Sequence, residues 1–451
     1  MDNIISSKSN APVPLPLGTP GTSPYRAMAP IAAGLFFGFI SVGLPLPVVP
    51  LFVHQVLGYD AAIVGGTVGL QFLATLLTRS YAGSVADEHG GKRSMMRGGA
   101  VCALAGVLYI LASALQLSSV TALIVLLAGR VLAGFGESQL VTGSVAWMIA
   151  TAGSQHAGKA MSLTGMAMYA SLALGAPLGM LIYRHFGFSM AMSLIIIAPL
   201  LACGIGARVP AAFAPSGTRV PMTRVLGIIW RSGLSLSLQG VGFAVISAFA
   251  SLFFASRGWS HAALAMTFFG GAYALMRVCF GYLPDRMGGY LVAVTSLSVE
   301  GIGQALLWLS PSETVALAGA LLSGMGCSLV FPALGVEILK HIPPQSRGTA
   351  LGGFVAFQDM AYGITGPITG VLAARAGYAS VFLVAAAAAL VGIGFVFSER
   401  AKSKTLTSGW RRTESQAKAD ATGLEAGTNV SDGNSQYAGY GEMDPRRPPH
   451  R

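Results

Sequence analysis

The sequence predicts an all-α integral membrane protein with twelve transmembrane helices in two pseudo-symmetric six-helix bundles. Three observations support this fold class: charged residues make up only 10% of the 451 residues, long apolar runs recur, and the second half repeats features of the first. Soluble domains carry about 25% charged residues, so this chain lacks the charge needed to cover a water-facing surface. Composition therefore disfavours a soluble enzyme, a nucleic-acid-binding domain and a disulfide-rich secreted module.

The charges are sparse in the middle of the chain. Of 28 basic and 17 acidic residues, 26 lie between positions 27 and 398, and 16 follow position 398. The middle interval contains ten charge-free runs of at least 18 residues, and a spanning helix needs about 20. Two more apolar stretches are interrupted once each, by Glu300 and by Asp359. The predicted helices cover residues 28–50, 62–84, 95–116, 120–143, 160–183, 188–208, 226–254, 263–284, 290–310, 314–338, 348–373 and 377–398.

These helices divide the chain into five segments. They are a polar cytoplasmic N-terminus (1–27), a first bundle (28–208), a cytoplasmic linker (209–225), a second bundle (226–398) and a tail (399–451). The tail is rich in Ser, Gly and charge, which predicts a disordered cytoplasmic segment. The first apolar segment is longer than the roughly 7–15 residues of a signal-peptide core, so we expect it to remain as helix one. All four cysteines fall in predicted helices and support neither a disulfide framework nor a Cys-based metal site.

The distribution of Lys and Arg predicts the orientation, because cytoplasmic loops carry the excess of these residues. The loops predicted to lie inside hold ten of them, whereas those predicted to lie outside hold only Arg184, Arg257 and Arg375. This distribution predicts that both termini lie in the cytoplasm. The net charge of +11 then reflects topology, and we expect no nucleic-acid partner.

Two offsets relate the halves of the chain. At a spacing of 190 residues, Gly134 matches Gly324, Gly158 matches Gly348 and Pro177 matches Pro367. At a spacing of 198, the segment 83–91 after helix two matches the segment 281–289 after helix eight. Duplicated halves are common in transporters, and six helices followed by six is the simplest arrangement that explains both offsets.

At these residues the chain resembles the major facilitator superfamily of transporters, over residues 27–398. The family's loop signature after helix two is matched by Gly83, Asp87, Gly90 and Lys92, although Glu88 and Gly91 stand where basic residues are expected. Its second copy keeps Gly281, Asp285, Arg286 and Gly288. A helix-four pattern is met by Arg130, Gly134 and Gly136, and phrases such as those at 43–46, 72–79 and 328–335 resemble the bacterial inner-membrane YhhS/YfcJ branch. This resemblance implies a multi-pass protein of the bacterial inner membrane.

The resemblance implies a gating role for the duplicated loops. Asp87 can meet the positive N-terminal end of a helix from the other half, which in the family is helix eleven, beginning near Gly348. Asp285 would face helix five near Gly158. We expect these contacts to hold the cytoplasmic side closed in the outward-open state and to break when the halves rock. Glu88 removes a cation from the usual ion-pair network of the first copy.

Ionisable residues inside predicted helices are the candidates for coupling or substrate binding, because a charge at mid-membrane usually faces a partner or an aqueous cavity. Arg130 and Glu137 are seven residues apart and share a helix face, so they could line the cavity together or form a structural ion pair. We expect a packing role for Glu300. Arg79, Arg231, Glu313 and Glu337 lie nearer helix ends, where side chains can reach water. The candidates for proton coupling or substrate binding are Arg130, Glu137, Arg277 and Asp359.

Uncharged polar residues could contact a solute or join helices. The candidates are Gln71, Gln139, Gln239, Tyr273 and Gln358. Helices five and eleven also carry proline among small residues, at Pro177 and Pro367, which predicts hinge and packing roles. The segment 175–179 is similar to the antiporter motif of drug exporters, although Ala176 replaces its second glycine.

The predicted function is secondary active transport of a small organic solute by alternating access, coupled to protons and directed outward. No glycine-rich stretch has the Lys-Ser or Lys-Thr ending of a phosphate loop, so we expect no ATP and no cofactor or metal. Proton-coupled uptake of a sugar-like nutrient is the alternative within this class. A transporter-fold sensor and an integral membrane enzyme are alternatives from other classes; the seven histidines lack metal-ligand spacing. The expected partners are the solute, protons and the lipid bilayer, with the chain acting as a monomer.

Overall fold

The computed structural model describes residues 23–114, 117–153, 156–212, 222–340, 342 and 347–400. The helices in these residues are α1 (Pro24–Gly43), α2 (Pro45–Leu51), a π-helical turn (Phe52–Val56), α3 (Ala61–His89), α4 (Gly91–Ala114), α5 (Ser119–Ala152), α6 (Ala157–Arg208), α7 (Met222–Ser256), α8 (Ala262–Phe280), α9 (Leu283–Met287), α10 (Gly289–Leu309), α11 (Glu313–Leu339), α12 (Arg347–Ala376) and α13 (Ser380–Arg400). The described residues contain no β-strand. Most of the predicted N-terminal segment and tail, and the centre of the linker, lie outside the described residues.

Among the described residues, ten helical segments are long and apolar enough to cross a membrane, the first of which combines α1, α2 and the π-helical turn. The longest, α6, is broken at Gly187, whose φ of 82° is a left-handed conformation that glycine adopts without steric cost. This break coincides with the predicted boundary between helices five and six. The 30-residue helix α12 is a further long helix that is not one of these ten. The all-α membrane fold class is confirmed, and the count of twelve crossings stays a prediction.

Side-chain caps mark the starts of two helices, and glycines in a left-handed conformation mark several helix ends. Asp60 Oδ1 accepts a hydrogen bond from the Ile63 amide at 2.9 Å and caps the start of α3, as Ser118 does for α5. Such capping satisfies amides that have no partner in the first helical turn. At the other end of α3, Gly90 has a φ of 85°, and Gly288 in the duplicated loop has a φ of 86°. The two copies thus share the backbone conformation of their last turn glycine, although residues 83–89 continue α3 whereas residues 281–282 form a turn before the short helix α9.

Helices α3 and α12 run antiparallel and join the first half of the chain (24–212) to the second (222–400). Gly65 lies against Gly366, Gly69 against Gly363, and Ala61 against Gly370. Small residues at these positions let the two backbones approach closely. We call the end of the molecule with Gly58, Gly258 and Gly377 the Gly58 end, and the end with Gly90 and Gly288 the Gly90 end.

Further contacts between the halves also lie toward the Gly58 end. Tyr378 Oη meets His54 Nε2 at 3.4 Å, and Arg184 Nη2 donates to the Ser260 carbonyl at 2.6 Å. Toward the Gly90 end, a methyl group added at Gly83 or Gly158 would meet no described atom within 4 Å. Among the described residues, the closest packing between the halves is therefore at the Gly58 end and at mid-height.

Candidate substrate and coupling site

Aromatic rings from both halves meet at the middle of the interface. Tyr169 of α6 stacks on Tyr273 of α8 with ring centroids 3.5 Å apart, and its hydroxyl lies 3.2 Å from that of Tyr362 on α12. Edge-to-face and stacked ring pairs add attraction beyond simple burial. We call this group the central ring cluster; its members are Phe72, Tyr169, Phe243, Phe269, Tyr273 and Tyr362.

An ion pair crosses the interface beside this cluster. Arg79 of α3 contacts Asp359 of α12 through Nε and Nη2, each 2.5 Å from Oδ2. The side chains are 18% and 9% exposed. Asp359 lies one helical turn from Tyr362, on the side toward the Gly90 end. Sequence reasoning selected Asp359 and assigned Arg79 to a water-facing helix end; the structure instead makes Arg79 the partner of Asp359.

Arg277 occupies the matching place in the second half. It lies one turn beyond Tyr273, donates from Nη2 to Tyr273 Oη at 2.6 Å, and is only 6% exposed. Its Nε is buried with no hydrogen-bond partner among the described residues. No carboxylate of the described part of the chain pairs with it. Within the described part of the chain, the charge of Arg277 therefore has no counter-charge next to the ring cluster.

Arg130 and Glu137 both face α3, and the structure does not pair them with each other. Arg130 is fully buried and donates to the carbonyls of Thr67 and Val68 at 3.1 and 3.2 Å. Glu137 accepts from Gln71 Nε2 at 2.8 Å and from Thr75 at 3.3 Å. Neither an Arg130–Glu137 ion pair nor a common aqueous wall accounts for their positions, because the shared face of α5 packs against a neighbouring helix.

The second half has its own buried polar group. Gln239 Nε2 lies 2.6 Å from Cys327 Sγ and 3.4 Å from Glu300 Oε1, and its Oε1 accepts from Gln358 at 3.3 Å. Gln358 precedes Asp359, so this group reaches the interface. Gln139 is buried apart from these residues, with an amide oxygen that has no hydrogen-bond partner in the described part of the chain.

The duplicated loops lie at the Gly90 end. Asp87, Asp285 and Arg286 are exposed, while Lys92 donates to the carbonyls of Ala207 and Val209 at 3.1 and 2.7 Å. Gly281 ends α8. The side chains around Gly348 lie outside the described residues, so the expected approach of Asp87 to this helix start stays a prediction. Gly158, the expected neighbour of Asp285, has open space around it.

Pro177 and Pro367 occupy equivalent surroundings in α6 and α12. The ten residues 171–180 and the ten residues 361–370 have the same pattern of buried and exposed positions. Pro367 lies against Gly69 of α3, so it belongs to the contact between the halves. Both helices continue through their prolines without a break in helical backbone angles.

Comparison with known proteins agrees with this geometry. The family model described as Major Facilitator Superfamily matches residues 31–263 and 233–431. The chain belongs to the Major Facilitator Superfamily. It is 46% identical over 366 residues to the MFS-type transporter STM4428 of Salmonella typhimurium, covering 81% of this chain and 94% of that one. It is 38% identical over 396 residues to the MFS-type transporter YhhS of Escherichia coli, covering 87% and 97%.

Solved superfamily transporters share the fold. The human organic anion transporter MFSD10 superposes with a TM-score of 0.63 at 16% identity, over 83% of this chain and all of that chain. The nucleoside transporter NupG superposes with a TM-score of 0.67 at 13% identity, over 82% and 99%. The chain is thus a multi-pass membrane transporter of this superfamily, and at these identities the two structures support the fold alone.

Three polar residues in or beside the central ring cluster were not among the sequence candidates: Arg79, Tyr169 and Tyr362. The repeat contains a signal for two of them. Arg79 precedes Arg277 by 198 residues and Tyr169 precedes Asp359 by 190, the same spacings that relate the duplicated segments. Tyr362 carries no such signal. In the described residues, no group of three His, Cys, Asp or Glu side chains could hold a metal ion.

Proposed function

We propose that this protein is a secondary active transporter that exports a small organic solute in exchange for protons, by alternating access. The observation that carries the proposal is the largely buried Arg79–Asp359 pair, which joins the two halves of the chain across their interface. Ionisable residues inside a membrane are costly and mark transport pathways. Two carboxylates near the interface, Asp359 and Glu137, are the candidates to carry the proton.

Protonation of Asp359 would change the contact between the halves. A neutral Asp359 no longer compensates the charge of Arg79, and breaking a buried ion pair by neutralising one partner is strongly unfavourable. The halves would then separate more easily at α3 and α12. The charged group that faces Asp359 is Arg79, and both lie within electrostatic range of Glu137. Protonation and the opening of this interface are thus coupled through one pair of side chains.

Glu137 is the second proton candidate because it links α5 to α3, the helix that carries Arg79. Gln71 and Thr75 donate hydrogen bonds to its Oε2. Arg130 lies two turns away on the same helix face and donates to backbone carbonyls of α3. A proton on Glu137 would therefore alter the packing of the interface helix and not a surface contact.

The direction and orientation of transport are part of the proposal. The similarity of residues 175–179 to an antiporter motif supports export. The basic residues Lys92, Arg93 and Arg97 line a groove at the Gly90 end, and this excess of positive charge supports a cytoplasmic location for that end in a bacterial inner membrane.

The test is solute-dependent proton flux in liposomes that contain the purified protein and a pH-sensitive dye. We expect some solute of a broad panel of sugars, nucleosides and organic acids to move protons in the wild type. Asp359→Asn and Glu137→Gln should reduce this coupled flux, and the matched control Glu313→Gln, which removes a carboxylate at the Gly58 end, should not. Absence of flux with every solute from folded protein would refute transport. Proton movement in the same direction as the solute would indicate uptake.

A further inference from the structure

The two interface arginines occupy equivalent positions but have different partners. Arg79 and Arg277 are 198 residues apart, as are the duplicated loops. Arg79 is neutralised by Asp359 of α12. The residue equivalent to Asp359, 190 positions earlier, is Tyr169 of α6, which stacks on Tyr273 and offers Arg277 no negative charge. The repeat therefore supplies one carboxylate for two arginines.

An arginine in this environment needs an anion. The guanidinium group stays charged under all ordinary conditions and presents its donors in a planar fork that matches carboxylate, sulfonate and phosphonate oxygens. Arg277 uses Nη2 for Tyr273, and its buried Nε has no partner among the described residues. A buried charge without a counter-charge is strongly unfavourable. The missing negative charge can come from a ligand.

The surroundings of Arg277 fit a ligand with a planar apolar body. Its guanidinium carbon lies 5.3 Å from the ring centroid of Tyr273, and the central ring cluster begins at that ring. Across from Arg277, α6 carries Gly165. A methyl group there would lie 3.6 Å from both Arg277 Nη2 and Tyr273 Oη, at ordinary contact distance. Glycine at this position leaves space beside the guanidinium group that a branched side chain would fill.

We propose that Arg277 binds the anionic group of a small aromatic organic anion, whose ring packs on the central ring cluster, and that such anions are the substrate class of this transporter. The proposal rests on the proposed transport function. The two arginines then have separate roles, since Arg79 pairs with the protonatable Asp359 whereas Arg277 holds the solute. The bound anion would lie next to the Arg79–Asp359 pair, so binding of the solute can affect the protonation of Asp359.

Binding to the purified full-length protein in detergent tests the site. The probes are benzoate, benzenesulfonate and phenylphosphonate, each compared with its neutral amide. We expect at least one acid to bind the wild type at least tenfold more tightly than its amide. Arg277→Gln removes a charge-assisted hydrogen-bonding partner, so it should raise the dissociation constant of that acid by about tenfold to a hundredfold. Arg277→Lys keeps the charge but not the planar donor geometry, so its affinity for the acid should lie between those of the wild type and Arg277→Gln. The three acids distinguish which anionic group the site prefers.

The control variant is Arg231→Gln. Arg231 is a partly exposed arginine near the start of α7 that pairs with Glu399 at 4.0 Å, and its removal should leave acid binding unchanged. If Arg277→Gln does not fold, Gly165→Val tests the same site without removing the charge, because its added methyl groups fill the space beside the guanidinium group. Equal binding of acids and amides by the wild type would overturn the proposal. Full acid binding by either Arg277→Gln or Gly165→Val would also overturn it.

Flux measurements separate failure of this inference from failure of the proposed function. Proton-coupled flux of neutral solutes only, with no response to the three acids, would keep the transport function and reject the anion site. Acid binding that depends on Arg277 but never leads to flux under a pH gradient would keep the site and reject transport.

Discussion

Replacing Gly69 by alanine should open the Gly58 end of the molecule. The added methyl carbon would lie 2.5 Å from the Gly363 carbonyl oxygen and 2.9 Å from Pro367 Cδ, whereas ordinary contacts are 3.4–4 Å. Relief of the clash requires α3 and α12 to separate by roughly 1 Å, and overpacking of this kind costs about 1–3 kcal/mol. Because the cost falls only on the state in which these helices touch, the ratio of open to closed molecules should rise by about 5-fold to 150-fold.

The matched control is Gly66→Ala. A methyl group at Gly66 meets nothing within 4 Å, but it lies on the same helix and gains the same intrinsic helix propensity, about 1 kcal/mol relative to glycine. This gain is present in both states and cancels from their ratio. A difference between the two variants therefore reports the contact between the halves and not the stability of α3.

Spin labels placed in each half at the Gly58 end can measure the populations. Val56 and Arg257 are exposed and can be changed to cysteine, after replacement of the exposed Cys279 by serine. We expect pulsed electron paramagnetic resonance to show a longer-distance population in Gly69→Ala and little change in Gly66→Ala. Identical distance distributions in the two variants would refute the idea that this glycine contact holds the end closed.

Three further predictions concern the charged groups and the closed end. Asp359→Asn should lower the thermal unfolding midpoint, because it leaves Arg79 unpaired at a cost of about 3 kcal/mol. The double variant Asp359→Asn with Arg79→Gln should recover part of the lost midpoint but not the proton coupling. A double variant no more stable than the single one would contradict this. Glu337→Gln should reduce the free energy of unfolding by about 1–3 kcal/mol and so lower the midpoint modestly, because Glu337 accepts hydrogen bonds from the Gly289 amide and from Lys340. An unchanged midpoint would show that these bonds contribute little. In the double variant His54→Cys with Tyr378→Cys, a short, cleavable thiol-reactive cross-linker should stop solute flux, and cleavage of the cross-link should restore it. Each single-cysteine variant should transport normally in the presence of the reagent.

The positions of the helices followed closely from the sequence, because a membrane-spanning helix needs a minimum length and excludes most charge. The ends were less certain. Helix four was predicted to end at residue 143, but α5 continues to Ala152. Composition reports where a helix leaves the apolar layer, whereas the helix itself continues until its hydrogen-bonded turns are interrupted, here at Gly153 with a φ of 90°.

The candidate residues show the same division. The seven-residue spacing of Arg130 and Glu137 predicted a common helix face, and both do contact α3. Spacing cannot say which neighbour a face meets, because that depends on how helices distant in sequence pack. The sequence also placed Arg79 near a helix end, where water is the simplest partner, and gave no reason to connect it with a residue on α12.

By itself, the sequence determined the membrane class, the approximate helices, the duplicated halves and the superfamily, since all of these depend on composition and on spacing along one chain. Only the tertiary structure decided how the charges are compensated. Arg79 and Asp359 are 280 positions apart and meet because glycines bring α3 and α12 together. Arg277 donates to Tyr273 and has no carboxylate partner among the described residues. Packing between helices sets which charge finds a partner, and the charge without one is where we expect the solute to bind.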